Sequence, residues 1–402
     1  MKSRSGWPLS AGGSIEAHAT PAMSNSPRLV SLDAFRGATV AGMLLVNNPG
    51  SWSTVYPPLR HAPWHGWTPT DLIFPCFLWI MGVSLAFSFA RRREEGADRA
   101  ALFRHVLRRS VIIFGVGLLL AAFPFGLLPA HHLSLGTLRL PGVLQRIALC
   151  YLAAGAIFLR TGPRGLTVWA VSLLAAYWAM LMLVPVPGYG AGVLEPTGSL
   201  PWWIDSHVLA GHTWSGAPAP GFDPEGILST IPAIATVLAG ILVGLWLRRA
   251  VSPTTKAARL LMGGLVMLIA GAVMDVWLPI NKNLWTSSYT VFMAGWAMVL
   301  LAAFYWLIEV HGWRRWAQPF VWYGMNALAL FVLAGLSARL LGLIQWTGSD
   351  GVQISLKGWL YAACFQPMGS PLDASLLFAV AFVLVHLIIA WELARRKWLI
   401  KI

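Results

Sequence analysis

Residues Arg28 to Met81 read RLVSLDAFRGATVAGMLLVNNPGSWSTVYPPLRHAPWHGWTPTDLIFPCFLWIM, two apolar segments joined by a loop rich in Trp, Pro and His. From Phe35 to Val46 the only polar side chains are Arg36 and Thr39, and the run stops at Asn47-Asn48-Pro49-Gly50. Pro and Gly there cannot continue a helix, so Asn47 is placed at a helix exit. The second segment begins at Thr68-Pro69-Thr70-Asp71, with Thr as N-cap, Pro at the first helical position and an acid at the third. Asp71 is thereby placed at a helix entrance. Two membrane helices joined in this way hold Asn47, His61, His65 and Asp71 at one depth, near one interface.

The rest of the chain repeats the apolar theme. Of 402 residues, 57% are hydrophobic and only 11% charged, against about 25% charged in a soluble globule. A net charge of +14 could suggest nucleic acid, but the basic residues fall in short clusters between apolar segments, which is topological patterning and excludes a nucleic-acid face. Because a hydrocarbon core of about 30 Å needs roughly 20 apolar residues, spans are expected at 31–48, 70–90, 110–129, 142–159, 165–184, 227–247, 259–278, 287–308, 319–343 and 373–394. The expected fold is therefore an all-α polytopic transmembrane bundle of ten helices, or eleven if 355–370 also crosses. That stretch is short and broken by Gln366-Pro367, so it reads as an outer or re-entrant segment.

Arg91-Arg92-Arg93, Arg99, Arg104, Arg108, Arg109, Arg160, Arg164, Arg248, Arg249, Lys256, Arg259 and Arg314-Arg315 occupy alternate loops, and the loop at 185–226 has no Lys or Arg. Short cytoplasmic loops hold the Lys and Arg, so both termini are expected in the cytoplasm and 185–226 outside. Residues 1–27 read as a disordered cytoplasmic tail, since they contain Ser, Pro and Gly and no apolar core, and 28–402 as a single membrane domain. Cys76, Cys150 and Cys364 lie in or beside apolar runs without metal or disulfide spacing.

Ionisable groups inside membrane helices are costly and commonly functional. Here Asn47, His61, Asp71, Gln145, Arg146, Asp223, Glu225, Asp275 and the run Asn281-Lys282-Asn283 all map to the outer side, as one polar chamber roofed by 185–226 with Trp202, Trp203 and Trp214. Each has a plainer reading. Asp33 and Arg36 are spaced as a local ion pair, Asp71, Asp223 and Glu225 suit helix caps, and an interfacial histidine suits an amphipathic belt. Arg146 is harder to set aside, because an arginine one turn inside a membrane helix needs an anionic partner. His61 has a carboxylate and an amide nearby to orient it for proton transfer. On residues alone His65, His131-His132, His207 and His212 remain rivals. No pair of these has zinc-site spacing, and no metal is assigned.

Seven blocks in order, RLVSLDAFRG, LVNN, RHAPWHGWTPTDLIFPCFLWIMG, PGVLQRIALCY, FDPEGILSTIPAI, PINKNLWTSSYTVFMAG and YGMNALALFV, give the chain a resemblance to the heparan-α-glucosaminide N-acetyltransferase family, from about Arg28 onward. The resemblance implies transfer of acetyl from cytoplasmic acetyl-CoA, as co-substrate, to the amine of a glucosamine-type sugar outside, in a bacterial-type inner membrane and with a dimer in keeping. It selects His61 over His65 as catalytic, with Asn47 and Asp71 beside it. Trp64, Asp223, Glu225 and Asp275 are then expected on the acceptor. Arg36, Arg146, Asn281, Lys282 and Asn283 are expected on the donor, with Arg36, 91–93 and 108–109 facing its phosphates and Asn47, Asn281 or Asn283 its oxyanion. A different class, an amino-sugar transporter using His61 and Asp71 as a proton relay, fits the same helices.

Overall fold

The computed structural model describes residues 29–126, 134–348 and 351–400. Helices occupy every expected span: α1 (Val30–Asn47), α2 (Ile73–Glu94), α3 (Arg99–Ala122), α4 (Val143–Arg160), α5 (Pro163–Leu183), α6 (Leu200–Val208), α7 (Thr230–Leu247), α8 (Pro253–Asp275), α9 (Ser287–Tyr305), α10 (Gln318–Met325), α11 (Ala327–Leu343), α12 (Leu356–Leu360) and α13 (Pro371–Arg395). One antiparallel hairpin pairs Gln345–Thr347 with Gln353–Ser355. Their starts follow the expected chemistry. Asp98, Ser252, Thr286 and Ser370 each accept a backbone N–H at an N-cap, and Thr68 with Asp71 forms a reciprocal capping box on the 3-10 turn Pro69–Leu72 that leads into α2.

Among the described residues, eight helices are long and apolar enough to cross a bilayer, or nine if the bent pair α10–α11 is one span. The protein is an integral membrane protein on this ground. Side chains that water would not tolerate in such numbers face outward, for example Val111, Val266 and Ile388, each more than 60% exposed. The expected count of ten also included α1, whose 18 residues carry Asp33 and Arg36 in the first two turns and so hold a shorter apolar run. The span expected at 319–343 is broken in the structure: α10 and α11 meet at 85°. Asn326 at the break donates its amide to Trp398 O at 3.0 Å and accepts from Ile400 N at 2.8 Å, so the C-terminal segment is hydrogen-bonded at the break. Residues 356–368 form three short helical turns, none long enough to cross.

Lipid offers no hydrophobic drive between helices, so close backbone approach does the holding. A Cβ at Gly82 of α2 would lie 2.1 Å from Val237 O of α7, and one at Gly240 of α7 would lie 2.0 Å from Trp79 O of α2. The same device joins α1 to α10, where a Cβ at Gly37 or Gly324 would strike the facing backbone. These contacts fix α1 and α2, and with them the loop between. Gly240→Leu should therefore lower the melting temperature in detergent by the equivalent of about 3 kcal/mol or prevent folding, whereas the lipid-facing Val266→Ala should not. Equal stability of the two variants would contradict this packing account.

Candidate active site

The bundle has a histidine end, where α1 stops and α2 starts, and an arginine end, where α2 stops and α3 starts. At the histidine end the half-exposed His61 ring meets the Asp71 carboxylate, which is only 1% exposed, at 2.6 Å from Nδ1 to Oδ1. The other carboxylate oxygen accepts the backbone N–H of Ala62 and of Thr68, both at 3.0 Å. An ionised carboxylate only accepts, so Nδ1 of His61 donates and Nε2 keeps its lone pair. That is the tautomer a proton acceptor needs.

The loop 276–286 closes on this pair from the other side. Gly66 N donates to Ile280 O at 2.7 Å, and the Tyr289 hydroxyl donates to Asp71 O at 2.7 Å. Asp275 accepts Ile280 N at 2.5 Å and thereby shapes the turn. Asn281 accepts Leu284 N at 2.8 Å, and its amide lies 3.3 Å from Nδ1 of His65. Lys282 brings Nζ to 3.0 and 3.1 Å from the two ring nitrogens of His61 and to 3.6 Å from Asp71. Nζ is thus within hydrogen-bond distance of both ring nitrogens. Burial pulls the Lys282 pKa below its ordinary 10.5, and Asp71 and Glu225 pull it back.

The roof is pinned separately. Arg139 grips Asp223 with two bonds, at 2.9 and 2.7 Å, and Glu225 at 2.6 Å, while Asp223 also accepts Trp214 N at 2.9 Å. Burial raises the Glu225 pKa, and Arg139 together with the charges of Arg146 and Lys282 brings it below the ordinary range. Trp64 donates its indole N–H to Leu194 O at 2.8 Å and packs edge-on against Phe222. Asp205 of α6 accepts Ile227 N at 3.0 Å, and burial pushes its pKa up to about 7. Arg146 is buried, donates to Gly226 O at 3.3 Å and to Ser229 Oγ, and stacks over Trp285.

Two cavities share the walls of α1, α3, α4 and α11. The one at the histidine end, about 590 Å³, is lined by Asn47, Asn48, Arg139, Gln145 and Trp214. The one at the arginine end, about 530 Å³, is lined by Arg36, Arg91, Arg92, His105, Arg108 and Arg109. Along α4 the first ends at Gln145 and the second begins at Ile147, a rise of about 3 Å. Arg36 itself pairs with Asp33 at 2.8 Å and donates to Ser84 at 2.6 Å.

The structure thus brings His61, Asp71 and Lys282 together, with Asn281 and Asn283 in the loop behind and Asp275 at the end of α8. Asn47 lies on the cavity wall and makes no hydrogen bond to His61 among the described residues. His61 is not a wall of that cavity. Lys282, beside His61, feels the charge of Glu225, which is bound by the cavity-wall residue Arg139. His207 and His212 bond the carbonyls of Trp203 and Leu138, and His131-His132 lie outside the described residues. Among the described residues no cluster of His, Cys, Asp or Glu could hold a metal. Sequence reading missed Arg139. Its signal was a lone arginine in a loop otherwise nearly free of basic residues, just before Pro141-Gly142.

The model of the family described as heparan-alpha-glucosaminide N-acetyltransferase, catalytic, matches residues 28–272, more than half of the chain. The chain belongs to this family. Heparan-alpha-glucosaminide N-acetyltransferase of Mus musculus is 29% identical over 358 residues, 77% of this chain and 53% of the relative. Its counterpart in Homo sapiens is 29% identical over 355 residues, 76% of this chain and 52% of the relative. The chain spans about half the length of these curated relatives. The transporter reading finds no support in them. His61, Asp71, Arg139, Asp223 and Glu225 fall inside the matched region and Lys282 just beyond it.

Arg139→Gln should leave the buried Asp223 carboxylate without its cation, a loss of about 3–5 kcal/mol. Limited proteolysis within 185–226 should accelerate while the membrane helices stay protected. An unchanged cleavage rate would show that the clamp does not hold the roof.

Proposed function

We propose that this protein is a transmembrane N-acetyltransferase that takes acetyl from acetyl-CoA at the arginine end and gives it to the amine of a glucosamine-type sugar at the histidine end. The reading is carried by the His61–Asp71 pair, a half-exposed imidazole whose Nδ1 is committed to a buried carboxylate, which leaves Nε2, with Lys282 Nζ 3.1 Å away, as the nitrogen that takes a proton. Family membership supports the reaction class, and the stacked cavities support the route.

Acetyl-CoA carries several phosphates and cannot cross the bilayer, so its nucleotide stays with Arg36, Arg91, Arg92, Arg108 and Arg109 while the pantetheine arm runs along α4 past Ile147 to Gln145. Positive loops favour the cytoplasmic face, and this supports reading the arginine end, with Ile400 on its cavity wall, as the cytoplasmic end of a protein in a bacterial-type inner membrane. The acceptor sugar lies under the roof, against Trp64 and the Arg139 cluster. Its amine attacks the thioester carbonyl, Nε2 of His61 takes the amine proton, and as the C–S bond breaks Nε2 passes that proton to the sulfur, so that CoA leaves as the thiol. Should His61 instead carry the acetyl group itself, the same nitrogen forms the bond.

Purified protein given labelled acetyl-CoA and glucosamine should form the N-acetylated sugar, whereas a transporter would yield uptake without product. His61→Ala should cut the rate about 10²–10⁴-fold with CoA binding kept, and His65→Ala far less. Near-normal transfer by His61→Ala would overturn the assignment.

A further inference from the structure

Resting on that acetyl-transfer reading, we infer that Lys282 is a catalytic residue on the acceptor side: its ammonium receives the negative charge that develops on the thioester oxygen. Three observations carry this. The first is position. Nζ lies 3.1 Å from Nε2 of His61, the nitrogen that takes the proton. An amine hydrogen-bonded to Nε2 and bonded to the attacked carbon sets the carbonyl oxygen within a few ångströms of Nε2, inside the reach of Nζ, where a donor is most effective. The second is availability. An ammonium has three N–H groups, and with Asp71 at 3.6 Å, beyond hydrogen-bond reach, the contacts to the two ring nitrogens leave at least one N–H for the oxyanion.

The third is the state of the rival donors. The Asn281 side chain is engaged through Leu284 N and His65, so moving it would unmake the turn that carries Lys282. Asn47 makes no hydrogen bond to His61. The charged groups acting on Lys282 are Asp71, Glu225 and Arg146. The two carboxylates favour the charged form that an electrostatic donor needs, against burial and the Arg146 charge. Both ends of the reaction are then matched by charge. Asp71 backs the imidazole that becomes positive, and Lys282 faces the oxygen that becomes negative. When the C–S bond breaks, the oxygen's electron pair re-forms the carbonyl, the charge leaves on the sulfur, which takes the proton held at Nε2 of His61, and the ammonium keeps its proton throughout.

The test compares Lys282→Met, Lys282→Gln and Lys282→Arg in steady-state transfer, with CoA binding by calorimetry as the check of folding. A charge donor at the oxyanion predicts that Met lowers kcat about 10²–10³-fold, with KM for acetyl-CoA and CoA affinity within about threefold of the unsubstituted protein. Gln, with an N–H but no charge, should fall between, and Arg should regain part of the loss. Methylammonium added to Lys282→Ala should raise its rate saturably and leave the unsubstituted protein unaffected. A large rise in KM for acetyl-CoA at unchanged kcat would assign Lys282 to donor phosphate and overturn the inference. So would Lys282→Met with a near-normal kcat, or three variants equally inactive and without methylammonium rescue. If the unsubstituted protein makes no product, the acetyl-transfer reading fails. If it does, and His61→Ala is inactive while Lys282→Met is not, only the inference about Lys282 fails.

Discussion

Everything at the histidine end depends on one buried carboxylate. Asp71 is nearly without solvent, and a lone carboxylate in that setting would be driven to protonate. The chain keeps it as an acceptor by folding back twice. Ala62 and Thr68 turn their amide hydrogens onto one oxygen, and His61 and Lys282 approach the other. Without the tight loop 60–72 there is no site for the carboxylate. Without the carboxylate the imidazole has no fixed tautomer.

That loop can be tight because the helices flanking it are held at backbone contact. Gly37 against α10 and Gly82 against α7 leave no freedom for α1 and α2 to slide. The roof is fixed by a different force, the partly buried clamp of Arg139 on Asp223 and Glu225. Helix packing and charge pairing thus govern separate parts of the site, and the α4 turn between Gln145 and Ile147 is the narrow place where the two cavities change over.

The helices were legible because each is an apolar run ended by Pro, Gly or a capping residue, signals that need no tertiary information. The capping box at Thr68 and Asp71 was read correctly as a cap, and the structure shows the same carboxylate also meeting His61, two roles that local sequence treats as alternatives. What stayed hidden was set by distant segments. The break at Asn326 is bonded to residues 72 and 74 positions later, and Lys282 reaches His61 across 221 positions. Arg139 carries little weight as a loop charge in topology, whereas in space this single arginine holds two carboxylates at once.

The central claim is that acetyl enters at the arginine end and leaves at the histidine end. It is tested most directly in oriented proteoliposomes, with radiolabelled acetyl-CoA supplied only at the arginine face and glucosamine sealed at the histidine face. The account predicts labelled N-acetylglucosamine in the histidine-side compartment, with CoA remaining where the donor was added and no product from His61→Ala. Product formed in the same compartment as acetyl-CoA, or formed equally when donor and acceptor exchange sides, would contradict it.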